Sequence, residues 1–110
     1  MDQLQKFLAS RPDNISRLPR IELMDGTTLS VQVGEGLYCT PRGDTGPWSE
    51  VEIGYPSKPI PELYKWMEGR IGETDPTDTV YGYVPVSVLL EAARARGGIN
   101  WAWTYLKRNR

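Results

Sequence analysis

Leu29, Val31 and Val33 alternate with Thr28, Ser30 and Gln32. This is the period of a strand with one face buried. Ile21 and Leu23 alternate in the same way with Arg20 and Glu22. Asp25-Gly26 stands between the two runs, and both residue types tolerate positive φ, so the pattern predicts a two-residue hairpin. Trp48 to Tyr55 returns as a third run, with Val51, Ile53 and Tyr55 on one face and Trp48, Glu50 and Glu52 on the other. A fourth strand is predicted around Val80 to Val84. Its aliphatic face holds Val80, Gly82 and Val84, and its opposite face Thr79, Tyr81 and Tyr83.

Helical spacing takes over elsewhere. Residues 2–10 read as a short amphipathic helix capped by Asp2, with Leu4, Phe7 and Leu8 on one face and Arg11-Pro12-Asp13-Asn14 as its stop. Ile60, Leu63, Tyr64 and Met67 have helical spacing after Pro61, which suits a first turn, and Gly69 ends the run. A longer helix is predicted from Pro85 to Arg96, buried through Val86, Leu89, Leu90 and Ala93. Gly97-Gly98-Ile99 forms its left-handed cap. Trp101, Trp103 and Tyr105 alternate with Ala102, Thr104 and Leu106, which favours a last strand over a helical turn. Glycine and proline place loops at Gly34–Gly36 and through Pro41–Pro47.

These elements define an α+β fold: an antiparallel sheet of four to six strands with two or three helices packed on one face. The 110 residues form one domain. Residues 1–14 are its amino-terminal helix and turn, and residues 100–110 a basic, aromatic carboxyl-terminal segment.

Charge is uneven along this frame. Residues 1–34 carry four acids and four bases, residues 35–91 ten acids and four bases, and residues 92–110 five bases and no acid. The last stretch suits either a solvated helix end or a contact for an anion or acidic partner. A pI near 5.4 and the acidic middle argue against a broad phosphate footprint, so sequence-specific DNA binding is not expected. No apolar run is long enough to cross a bilayer, and the expected compartment is the cytoplasm. The single cysteine, Cys39, cannot form an internal disulfide and fits a reducing compartment.

Catalytic chemistry finds little support. The chain has no histidine, which removes the commonest general base and metal ligand. Cys39 has no visible base, although Arg42 is near in sequence, and it reads as a small core residue. Glu50 with Glu52, and Asp75 with Asp78, could hold a weak hard cation but follow no calcium-loop pattern. Gly34-x-Gly36 lacks the third glycine and following helix of a dinucleotide site, and PRGDTGP lacks the glycine-lysine pair of a phosphate loop. No enzyme activity, cofactor or metal is expected.

The aromatic residues are more informative. Four tryptophans and six tyrosines stand against one phenylalanine. Both types combine apolar area with a polar handle and are enriched where proteins touch partners. Trp48, Tyr81 and Tyr83 fall out of phase with the aliphatic face. With Arg42, Arg94 and Arg96 they are the expected contact residues, unless helices cover that face and make the rings core.

The strings YCTPR, GPW, VEIGYPS and TDTVYGYVP, followed by a helix ending in GGI, cover roughly residues 18–99. This pattern resembles a family of small proteins encoded by tailed bacteriophages and prophages. The resemblance carries no catalytic or binding residue. It implies an accessory protein that binds and inhibits a host factor, a defence component above all, by direct contact inside the bacterial cell. The second expectation is a sponge for an anionic nucleotide, held in an aromatic and arginine pocket, with a homo-oligomer interface as one place for it.

Overall fold

The computed structural model describes residues 2–11, 13 and 16–108, with side chains described up to residue 104. The order is α1 (Gln3–Leu8), β1 (Ile21–Glu22), β2 (Thr28–Gln32), β3 (Glu50–Gly54), a 3₁₀ helix (Pro61–Trp66), β4 (Val80–Pro85), α2 (Val86–Arg94) and α3 (Trp101–Arg108). The four strands form one antiparallel sheet in the order β1-β2-β3-β4. The 3₁₀ helix and α2 contact β4, and α3 contacts β1. Among the described residues, no helix is long and apolar enough to cross a membrane.

Each element follows from local chemistry. Asp2 caps α1 by accepting from Gln5 N at 2.8 Å, and Leu4, Phe7 and Leu8 are buried as the helical spacing requires. The Pro12 and Asn14 of the expected stop lie outside the described residues. Leu29, Val31 and Val33 all point into the core. The β1–β2 hairpin closes through three residues, Met24 to Gly26, rather than two. Leu23 N donates to Thr27 O at 2.7 Å, and Gly26 takes the positive φ of +91°. Asp25 instead accepts from Thr27 N at 2.9 Å, an Asx-type bond that uses its side chain and leaves the left-handed position to glycine.

Several expectations need correction. β3 starts at Glu50, and Tyr55 leaves the inner face with φ +50° and 47% exposure. On α2 the buried positions are Leu89, Ala92 and Ala93, while Leu90 is 38% exposed. The 97–99 segment does fold back as a cap. Gly98 N donates to Ala93 O at 2.8 Å, and Ile99 packs on the core. The expected last strand is helix α3. Asn100 Oδ1 accepts from Trp103 N at 3.1 Å, an N-cap bond, and Thr104 is fully buried one turn later. The run between Pro61 and Met67 forms a 3₁₀ helix with proline in its first turn and Leu63 buried.

Two buried glutamines tie segments together in the same manner. Gln5 Nε2 donates to Trp48 O at 2.7 Å, and Gln5 Oε1 accepts from Trp48 N at 3.0 Å. Gln32 Nε2 donates to Leu18 O at 2.9 Å and Gln32 Oε1 accepts from Leu18 N at 2.9 Å. In each case a side-chain amide satisfies both polar groups of a buried loop residue, as a neighbouring strand would.

Both sheet edges are covered. Along β1, Asn100 N donates to Glu22 O and Met24 N to Gly98 O, and Leu23 bridges Ile99. Along β4, Glu68 N donates to Val80 O, Met67 bridges Tyr81, and Tyr83 N donates to Tyr38 O.

Replacing Gln5 with Met keeps the volume and removes both bonds, leaving the Trp48 amide and carbonyl buried without partners. Urea denaturation of Gln5→Met should show a loss of about 3 kcal/mol. Gln32→Met should behave similarly, and an unchanged midpoint in both would remove the glutamine ties from the account of stability.

Candidate functional site

The site grows from an irregularity between β3 and β4. Val51 pairs with Val84 and Ile53 with Tyr81, so the two residues Gly82 and Tyr83 stand opposite Glu52 alone. This is a β-bulge. It reverses the side-chain phase within β4. Tyr81 and Val84 both point inward and are fully buried, whereas Tyr83 is 38% exposed. The predicted tyrosine face is therefore split. Tyr81 is core, and its hydroxyl donates to Pro76 O at 2.6 Å. Burial raises its phenol to a pKa of about 12.

Tyr83 has φ +55°, a left-handed conformation that a bulky side chain rarely adopts. Its N–H, displaced from the β3 ladder, donates to Tyr38 O at 2.9 Å. Tyr38 lies across the bulge on the outer face. A Cβ on Gly82 would come within 3.1 Å of Tyr38 Cβ, so the glycine admits this close approach. The Tyr38 and Tyr83 rings then sit 5.7 Å apart at 35°. Tyr38 N donates to Glu52 Oε2 at 3.0 Å. The Arg42 guanidinium carbon lies 5.7 Å from the Tyr38 ring centre, in cation–π geometry, and Arg42 Nε donates to Leu37 O at 3.0 Å. Arg42, Tyr38 and Tyr83 form one exposed stack.

The loop beneath this stack is held from several sides. Asp44 Oδ1 accepts from Glu35 N at 3.0 Å and from Arg11 Nη2 at 2.8 Å, and these bonds, the Glu35 amide first, hold the carboxyl below its usual range. Trp48 Nε1 donates to Gly43 O at 3.1 Å, and its ring lies where a Cβ on Gly46 would stand. Cys39 is buried at the loop base, with Sγ 3.2 Å from Pro41 O. A surface fixed before contact loses less entropy on binding than a mobile one.

The six expected contact residues thus separate. Arg42 and Tyr83 meet on one surface. Trp48 is buried behind the loop, fixed through Gln5, and cannot act as a surface contact. Tyr81 is excluded for the same reason. Arg96 binds Glu62 with Nη1 and Nη2 at 2.7 and 3.1 Å, and Nη1 also donates to Ala92 O at 2.9 Å. That ion pair joins the end of α2 to the 3₁₀ helix, raising the arginine pKa and lowering the glutamate pKa. Arg94 is exposed, pairs with Glu91 at 3.1 Å, and lines a cleft elsewhere on the molecule. Tyr38 is the residue the sequence reading missed. Its signal was its place in the LYCTPR segment, four residues before the arginine it stacks with.

Glu50, Glu52 and Asp75 have structural partners. Glu50 Oε1 accepts from Thr40 Oγ1 at 2.6 Å, and Asp75 Oδ1 from Thr77 N and Oγ1 at 2.9 and 2.7 Å. Among the described residues, no three His, Cys, Asp or Glu side chains group as metal ligands. The chain matches no family model, no curated protein and no solved structure.

The Tyr81 phenol provides a direct check on its burial. An unfolded tyrosine ionises near pH 10, and the folded one at about 12. The stabilisation is complete below pH 10 and is lost as pH rises from 10 through 12. The loss amounts to roughly 2–3 kcal/mol. Tyr81→Phe should be about 1 kcal/mol less stable at neutral pH, from the lost Pro76 bond, and should lack this component of the alkaline decline. Parallel urea titrations at pH 9 to 11.5 measure the difference.

Proposed function

We propose that this is a non-enzymatic binding protein that acts by direct contact with another protein through the Arg42–Tyr38–Tyr83 surface. The observation that carries the reading is Tyr83. A bulky residue held at positive φ costs on the order of 1–3 kcal/mol, and such strain concentrates at functional positions. Tyr55 has the same left-handed backbone and is also exposed; what sets Tyr83 apart is its stacking on a second tyrosine, itself flanked by an arginine. Tyrosine and arginine are enriched among the residues that dominate binding energy. The covered sheet edges speak against strand addition as the mode of contact, so the recognition proposed is by side chains.

On the strength of the resemblance to phage and prophage proteins, the partner we propose is a host bacterial factor, a defence component above all. Inhibition by occlusion would be the outcome, and the bacterial cytoplasm the compartment. Sequestration of an anionic nucleotide is the competing reading. It has weaker support, because Arg94 and Arg96 do not converge with the tyrosines.

The test uses a photocrosslinking residue in place of Tyr38, with the same residue in place of exposed Ile71 as a remote control, expressed in bacterial cells. A stoichiometric cross-linked polypeptide is expected from position 38 and not from position 71. Tyr83→Gly relieves the backbone strain, so it should hold or raise the melting temperature. It should still weaken the complex by at least about thirtyfold. A complex that survives Tyr83→Gly and Arg42→Glu, or that cross-links equally from position 71, overturns the proposal. Native mass spectrometry that releases a small anionic mass, lost in Arg42→Glu, would favour the nucleotide reading.

A further inference from the structure

A cleft of about 440 Å³ opens between the start of α1, the end of α2 and the start of α3. It lies outside the Arg42–Tyr38–Tyr83 surface and uses none of its residues. Leu90, Ile99 and Trp101 supply apolar wall, and Arg94 and Asp2 stand among the lining residues. Leu90 and Arg94 are four residues apart on α2 and so project from one face. This explains why Leu90, placed in the core by its spacing, is exposed: it faces the cleft.

We propose that this cleft binds a small molecule with an apolar body and a single carboxylate, the body against Leu90 and Trp101 and the carboxylate on Arg94. The volume falls in the range of small-ligand sites, which are mostly apolar with a few placed polar groups. The charges select the head group. Asp2 caps α1, where its Oδ1 accepts from Gln5 N, and its negative charge leaves Arg94 as the place for a single carboxylate. Arg94 has an exposed i,i+3 pair with Glu91 at 3.1 Å, a class of contact worth little, so its guanidinium can turn to a ligand. Among the described lining residues Arg94 is the one arginine, which fits a monoanion better than a polyphosphate.

The probes are naphthaleneacetate and its uncharged isostere naphthaleneacetamide, titrated into the full chain by calorimetry and by amide nitrogen–proton NMR. The acid should bind one per chain and shift the Gly97, Gly98 and Trp101 signals. Arg94→Gln should weaken the acid about tenfold, to the level of the amide, while leaving the amide's affinity unchanged. Leu90→Gln, at an exposed position, should weaken both without lowering the melting temperature. The proposal is overturned if those signals do not move, or if acid and amide bind equally to the wild type. Sedimentation as a dimer that Leu90→Gln converts to monomer would also overturn it, by showing that a second copy fills the cleft.

Discussion

A single extra residue in β4 governs the arrangement of the outer face. With Gly82 and Tyr83 opposite Glu52, the strand can bury Tyr81 and Val84, three positions apart, on the same side. A regular strand buries every second residue and would have to expose one of them. The displaced Tyr83 amide needs an acceptor, and Tyr38 O supplies it. That bond draws the 37–40 segment over the sheet, where Gly82 leaves room for the Tyr38 side chain. Arg42 then follows within reach of the ring. The inner packing of Tyr81 and the outer stack of Tyr38 and Tyr83 are thus two sides of one register slip.

The glutamine ties play the complementary part by fixing what the sheet does not reach. The loop of residues 34–47 has few ladder bonds of its own, yet Gln5, Asp44 and the Trp48 indole hold it at both ends and in the middle. Side-chain amides are suited to this task because one group both donates and accepts. Docking of α1 and placement of the loop are therefore coupled: Gln5 belongs to the first and binds the second. Ion pairs at the periphery, such as Arg96 with Glu62, join neighbouring helices in the same way but from partly exposed positions.

The parts of this fold that were legible in the sequence are those decided by neighbours in the chain. Alternation at Leu29, Val31 and Val33, the Asp2 cap and the Gly97-Gly98 reversal are local patterns, and each is present. The tyrosine face at 81 and 83 was misread because its phase depends on the extra residue of β4 against β3, a relation between distant segments. The partner of Arg96 is thirty-four positions away, beyond any local pattern. At Trp101 to Tyr105 two periods fit a short run, and Asn100, a good N-cap residue, was the signal that favoured the helix. Trp48 followed Glu50 and Glu52 in phase, but the strand begins only at Glu50, so phase said nothing of its side chain.

Covering both edges of the sheet divides the molecule's atoms into two inventories. Along both edges, backbone groups of the strands, among them the Tyr83 N–H of the bulge, are bonded to neighbouring segments, so the described framework offers little hydrogen-bond template to a passing strand. What remains for contact is a handful of side chains mounted on a framework that does not depend on their tips. Positions 38, 42 and 83 can change identity, within the limit that 83 must accept a left-handed backbone, without disturbing the ladder beneath. Under the proposed binding role, a changed partner could be followed by substitutions at these few sites, since the residues that fold the chain and those proposed to recognise with it are different.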